Sequence, residues 1–171
     1  LIQLRGRMID CHVDCSYIKD LCKAAENVGS EYYLYNRGDG GADHYMERVF
    51  AYELYHQLRL IMESESAKKR YDGLYLCGEQ TKSKTLGNLT SAKCPDLVLH
   101  GSFSGTDRQI WICEIKHRYS TGCCNDLVKL SEDLAPLRFC QSVFICFGHD
   151  LEVLPKDVMD RKDDEAFKNI I

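Results

Sequence analysis

The sequence predicts a single α/β (α+β) domain whose elements run helix, helix, strand, strand, strand, helix, strand, helix. Three observations predict it. Apolar residues recur at helical spacing over residues 3–28 and again from Asp43 to about Ser64. Three short apolar runs, at 74–77, 94–100 and 109–116, are separated by polar or turn-rich stretches, as strands are. A fourth run, 141–147, is nearly continuous and follows another helical pattern from Asn125 to about Phe139, so it reads as a buried strand.

Length and composition agree with one domain over residues 1–171. A chain of 171 residues can bury a sizeable core. Its 44% hydrophobic and 28% charged residues are those of an ordinary globular protein. No apolar run reaches the length of a membrane span, so no membrane partner is expected. The opening Leu1-Ile2-Gln3-Leu4-Arg5 has no signal-peptide core and no initiator Met, so the sequence is expected to be a trimmed piece. Net charge is −4 and the pI is near 5.9, which argues against a protein that coats nucleic acid.

The first helix, within an additional N-terminal segment 1–30, carries Met8, Cys11, Cys15, Ile18, Leu21, Cys22 and Ala25 at helical spacing and is expected to end at Gly29. Glu31–Tyr35 is an aromatic run read as packing. The glycine-rich 36–41 stretch lacks phosphate-loop spacing and reads as a connector. Asp43 is the expected N-cap of the second helix. At about 100° per residue, Ala51, Leu54, Leu58, Ile61 and Met62 form one apolar stripe on it. Glu47 lies on that stripe, where a carboxylate is costly unless it is paired or binds a metal. A Glu near a helix N-terminus is also favourable for the dipole alone. Glu53 points roughly 120° away and is the weaker candidate.

Residues 78–93 form a long polar loop with Lys82, Lys84 and Lys93, a place for backbone contacts if the substrate is a nucleic acid. Pro155 opens a last, strongly charged helix to about Ile170. The ten cysteines include no Cys-x-x-Cys pair, and several fall inside apolar runs. Cys113 and Cys146 read as strand core. Cys11-His12-Val13-Asp14-Cys15 imitates a zinc site, although helix packing explains it more simply. The whole set reads as free thiols in a reducing cytoplasm.

The chemistry concentrates between Pro95 and His117. Strand side chains alternate, so Glu114 and Lys116 share one face while Cys113 and Ile115 share the other. A hairpin-length connection can bring Asp96 beside them. Two neighbouring carboxylates repel and gain from a divalent cation with a taste for oxygen. An adjacent lysine can orient or help deprotonate a water and offset charge on a phosphate. The plain alternative is an ordinary salt bridge on a strand edge. Arg118, if the alternation continues, shares the face of Lys116 and can approach a phosphate.

Pro95-Asp96, followed after residues 97–113 by Glu114-Ile115-Lys116, resembles the signature of the PD-(D/E)XK nuclease superfamily. From about 43 to 147 the order helix, three strands, helix, strand is similar to that superfamily's restriction-endonuclease-like core, and Glu47 matches its helix glutamate. The resemblance implies a mixed central sheet of about four strands. It implies a metal-dependent nuclease hydrolysing phosphodiesters of nucleic acid, with DNA the first expectation. It implies Mg2+ or Mn2+ held by Asp96, Glu114, Glu47 and the carbonyl of Ile115. Asp96, Glu114, Lys116 and Glu47 would be the catalytic set, and Lys82, Lys84, Lys93 and Arg118 would bind substrate. A homodimer would suit cleavage of both duplex strands. Two other readings stay open: an inactive nucleic-acid-binding or regulatory module of the same fold, and a cysteine-rich cytoplasmic interaction or thiol-sensor protein.

Overall fold

The computed structural model of the chain describes residues 16–35, 44–78, 94–101, 108–118 and 139–147, together with positions 126 and 130. The first half of the expected N-terminal helix lies outside these residues. So do Asp43, the 79–93 loop with Lys82, Lys84 and Lys93, the Cys11–Cys15 and Cys123-Cys124 stretches, and the expected helix after Pro155.

Helix α1 spans Ser16–Glu26 and buries Tyr17, Ile18, Leu21 and Ala24, one face at helical spacing. It stops at Glu26, short of the expected Gly29. Gly29 instead precedes a single helical turn, α2, Ser30–Tyr33. The chain then pairs Leu34–Tyr35 (β1) with His44–Tyr45 (β2) in an antiparallel ribbon. Neither α2 nor the ribbon belongs to the expected order. Both are too short to show a period, and the tyrosines that build them are good in strands and in cores alike.

Helix α3 runs Glu47–Glu63. Its N-cap is Met46, which makes no side-chain cap bond, so the helix begins later than the Asp43 start expected from sequence. What holds this end is backbone: the Met46 N–H donates to the Tyr33 carbonyl at 2.8 Å. At the other end the Ser64 hydroxyl donates to the Ile61 carbonyl at 2.7 Å. Phe50, Leu54, Leu58 and Met62 are the buried stripe, with Ala51 and Ile61 half-buried beside it. That stripe packs on α1, α2 and the central sheet.

The connection after α3 is tied back to α1. Asp20 pairs with Arg70 and accepts the Tyr71 hydroxyl at 2.9 Å. The Tyr17 hydroxyl donates to the Arg70 carbonyl at 3.0 Å. Gly73 has φ +70, a left-handed turn that glycine makes without strain, and it feeds the first sheet strand.

The central sheet is mixed and four-stranded: β3 (Tyr75–Gly78), β4 (Leu97–His100), β5 (Gln109–Lys116) and β6 (Gln141–Cys146), in that spatial order. β3/β4 and β4/β5 are antiparallel, and β5/β6 is parallel. A parallel neighbour requires a crossover. Asp126 and Leu130, between β5 and β6, are both helical. Phe139, placed at the end of that helix by sequence, is outside it and buried.

Two faces of the sheet are covered. Leu97, Leu99, Trp111, Cys113, Ile115, Val143 and Ile145 join the cluster with α1 and α3. Val98, Ile112 and Leu130 are buried outside that cluster, and Ser142 donates to the Leu130 carbonyl at 2.9 Å. β5 is therefore buried on both sides over its first five residues and alternates only at Glu114, Ile115 and Lys116. Cys146, expected in the core, is half-buried. Among the described residues no helix is long and apolar enough to cross a membrane.

Leu54 is fully buried and Leu60, on the same helix, is 52% exposed. Leu54→Ala is expected to cost about 2–5 kcal/mol in urea unfolding. Leu60→Ala is expected to stay within about 0.5 kcal/mol.

Candidate active site

The antiparallel register sets the first pair. Leu97 faces Cys113, so the next position outward sets Asp96 opposite Glu114. Pro95 precedes Asp96 and is buried. Asp96 Oδ2 accepts the Ile115 N–H at 2.7 Å, continuing the ladder ahead of the first β4 residue with a side chain in place of a carbonyl. The Asp96 and Glu114 carboxyl groups are in hydrogen-bonding contact with each other.

Burial raises the Asp96 pKa and is the largest influence on it. The Ile115 N–H, the Lys116 charge and the bond with Glu114 work the other way, and the Glu47 charge adds to the rise. The net direction is up. Two carboxyls this close resist double ionisation, and one shared proton or one cation relieves them.

Lys116 follows Glu114 by two residues and lies on the same face, as alternation requires. Its Nζ is 3.6 Å from Asp126 Oδ2 and 3.9 Å from Glu47 Oε2. Burial pulls the ammonium pKa down, but Asp126, Glu47, Asp96 and Glu114 together outweigh it and raise the value. Lys116 is a held cation in this setting, and so is suited to charge stabilisation rather than to work as a base.

Glu47 begins α3 and closes the site from the helix side. Its Oε1 accepts the His117 N–H at 3.1 Å and lies 2.6 Å from His117 Nδ1. Burial acts to raise the Glu47 pKa and is the largest single influence; the His117 N–H, the His117 ring and Lys116 together leave it lowered.

Aromatic packing fixes this meeting. The Phe50 and Phe147 rings stack at 4.0 Å, and Tyr33 meets both edge-on. Tyr45 stacks with His117 at 6.1 Å. The Phe147 N–H donates to the Lys116 carbonyl at 2.9 Å.

Beside the carboxylates lies a cavity of about 410 Å³ between α3 and the strand ends. Glu47 and Asp96 line it, with Arg48, Tyr52, Tyr55 and Ile115 among their companions; Glu114 and Lys116 are not part of its wall.

The structure thus gathers Asp96, Glu114, Lys116 and Glu47, four residues picked out in the sequence. Arg118 is exposed two residues beyond Lys116. Lys82, Lys84 and Lys93 lie outside the described residues. Glu53, the weaker glutamate, accepts from Gln57 at 2.7 Å, away from the site. Two residues escaped the sequence reading. Asp126 is buried against Lys116, yet an acidic residue at a helix start looks the same when it serves only the dipole. His117 looked like a strand-end neighbour, and only the arrival of α3 gives it Glu47.

The donor chemistry of Asp96 and Glu114, two adjacent carboxyl groups rich in oxygen, fits a hard divalent cation. Among the described residues no three His, Cys, Asp or Glu side chains are grouped to hold a metal ion, so a cation there would take further ligands from backbone, water or substrate. Comparison of the chain with protein-family models, with curated proteins and with solved structures returns no match.

The two acids on either side of Lys116 pull stability in opposite directions. Glu47 is lowered, so its contribution is present above the ordinary carboxylate pKa and is lost as pH falls through the lowered value. Asp96 is raised, so its contribution is complete below the ordinary value and is lost as pH rises through the raised one. Asp96→Asn is therefore expected to raise Tm near neutral pH in chelator, by about 2–4 °C if roughly 1 kcal/mol of the cost of burying a charge is removed. Glu47→Gln is expected to lower Tm under the same conditions. Thermal melts at neutral and acid pH check both, and each difference should shrink toward acid.

Proposed function

We propose that the chain is a divalent-metal-dependent nuclease that hydrolyses phosphodiester bonds in nucleic acid, DNA first. The observation that carries this reading is the Asp96–Glu114 carboxyl pair across two antiparallel strands, with the Lys116 ammonium two residues beyond. The resemblance of Pro95-Asp96 and Glu114-Ile115-Lys116 to the PD-(D/E)XK pattern supports the same reading.

Asp96 and Glu114 would hold Mg2+ or Mn2+, with Glu47 and the Ile115 carbonyl as neighbouring oxygens. The ion supplies Lewis-acid polarisation of the phosphodiester and acidifies a water. The chain does the rest. Asp96 is held against the Ile115 N–H, which keeps one of its oxygens fixed. Lys116 carries a positive charge beside the carboxyl pair and would stabilise negative charge growing on the phosphate. Asp126 and Glu47 orient that ammonium. His117 and Glu47 bind one another and keep the helix end against the strand. Arg48, exposed at the cavity edge, adds a cation for the substrate backbone.

A second reading is a non-catalytic nucleic-acid-binding module of the same architecture. One observation favours it: Asp96 Oδ2 and both Glu47 oxygens already have protein partners.

Cleavage of labelled single-stranded and duplex DNA in Mg2+ or Mn2+ separates the two. Alanine at Asp96, Glu114 or Lys116 is expected to cut the rate at least about a hundredfold while circular dichroism stays native. Calorimetry with Mn2+ should show binding that Asp96→Asn and Glu114→Gln weaken. Equal cleavage by all three alanine variants would end the nuclease assignment. Nucleic-acid binding without any Mn2+ uptake or cleavage would install the second reading.

A further inference from the structure

The cavity beside the carboxyl pair has the size of a ligand site, about 410 Å³ against the roughly 300–1,000 Å³ of small-molecule pockets. One wall is a face of α3 on which Arg48, Ala51, Tyr52 and Tyr55 follow at helical spacing. Their chemistry is graded along the helix. Arg48 sits next to Glu47, at the end where Asp96 also lies. Ala51 is small and leaves the middle open. Tyr52 and Tyr55 supply two aromatic rings at the far end.

The two tyrosines are held differently. Tyr55 is half-buried and its hydroxyl donates to the Leu76 carbonyl at 3.2 Å, so its ring is anchored to β3. Tyr52 is 60% exposed although it lines the cavity. An exposed ring on a concave wall contributes little to the core and offers a π face to a guest. Gly78, also on the wall, has no side chain; the nearest atoms to a Cβ there would be the Asp96 carbonyl oxygen and a Leu97 methyl, each at 3.7 Å. The cavity is thus aromatic at one end of the helix face and charged at the other.

We propose that this cavity takes one unstacked nucleobase from the strand whose phosphate lies at Asp96 and Glu114, with Tyr52 as the stacking face and Arg48 on the backbone. The substrate class follows. A base inside a duplex is covered on both faces by its neighbours and cannot stack on a side chain without being extruded. A single-stranded or frayed end presents its bases at no such cost. The site therefore prefers single-stranded nucleic acid or an unpaired end to intact duplex. This inference rests on the nucleic-acid reading above.

The test uses the whole chain in EDTA, so that binding is read without cleavage. Fluorescence anisotropy would follow a labelled twelve-residue oligothymidine and a labelled blunt duplex of the same length. The single strand is expected to bind more tightly. Tyr52→Ala is expected to weaken it from about fivefold to about 150-fold, the range of one base–aromatic stack. Tyr52→Phe should keep wild-type affinity, because the ring and not the hydroxyl is used. Ala51→Leu, which fills the middle of the cavity, should weaken the single strand as well. Duplex binding should respond to none of the three. Single-strand affinity unchanged by both Tyr52→Ala and Ala51→Leu, or tighter binding of the duplex, overturns the base site and leaves the nuclease reading standing. No binding of either probe by the wild-type chain overturns both.

Discussion

The register of β4 on β5 is the constraint on which the site depends. Leu97 against Cys113 and Leu99 against Trp111 put four buried side chains on the face that meets α3. A slip of one residue would send them to the opposite face and bring charged side chains inward, so the core itself holds the register. Once it is held, Asp96 lies opposite Glu114. The Ile115 N–H then has a carboxylate to bond, and two acids share one place. Hydrophobic burial, which is indifferent to chemistry, thereby imposes a contact that the two carboxylates alone would avoid.

The remaining charges answer that contact. Lys116 lies among four carboxylates, Asp126, Glu47, Asp96 and Glu114, and each raises its pKa. The ion pairs with Asp126 and Glu47 are long, at 3.6 Å and 3.9 Å. Such separations contribute little as individual salt bridges. Their effect is to keep a cation in place beside a pair of acids. The cluster is a poor device for stability.

Glu47 reaches the strands because the end of α3 is fastened by ring packing. Phe50 stacks on Phe147, just after β6, and Tyr33 wedges against both. Tyr45, from the small ribbon, stacks on His117, just after β5. Five separate parts of the chain therefore meet where β5 and β6 end. The ribbon and the single-turn helix, which look incidental as secondary structure, brace the helix that delivers the fourth acidic group. The tyrosine pair of the cavity rides on the same helix, on a face turned away from Phe50 and the buried stripe.

The sequence alone was enough for the local periods and for the chemistry that rides on them. Helical spacing in α1 and α3 and the apolar runs of β3 to β6 reflect the side-chain repeat of each element, which neighbouring residues determine among themselves. Glu114 and Lys116 share a face for that reason, and Pro-Asp before a strand placed Asp96 at its start. Helix ends were less legible: α3 begins at Glu47 after Met46, held by the Tyr33 carbonyl, a backbone bond that no side-chain cap announces. The Asp126–Lys116 pair, the Glu47–His117 bond and the cavity wall were beyond it altogether. Each joins residues brought together only when strands pair and helices dock, and such distances depend on packing across the whole core. Local repeat determined which face each side chain takes, and tertiary closure decided which faces meet.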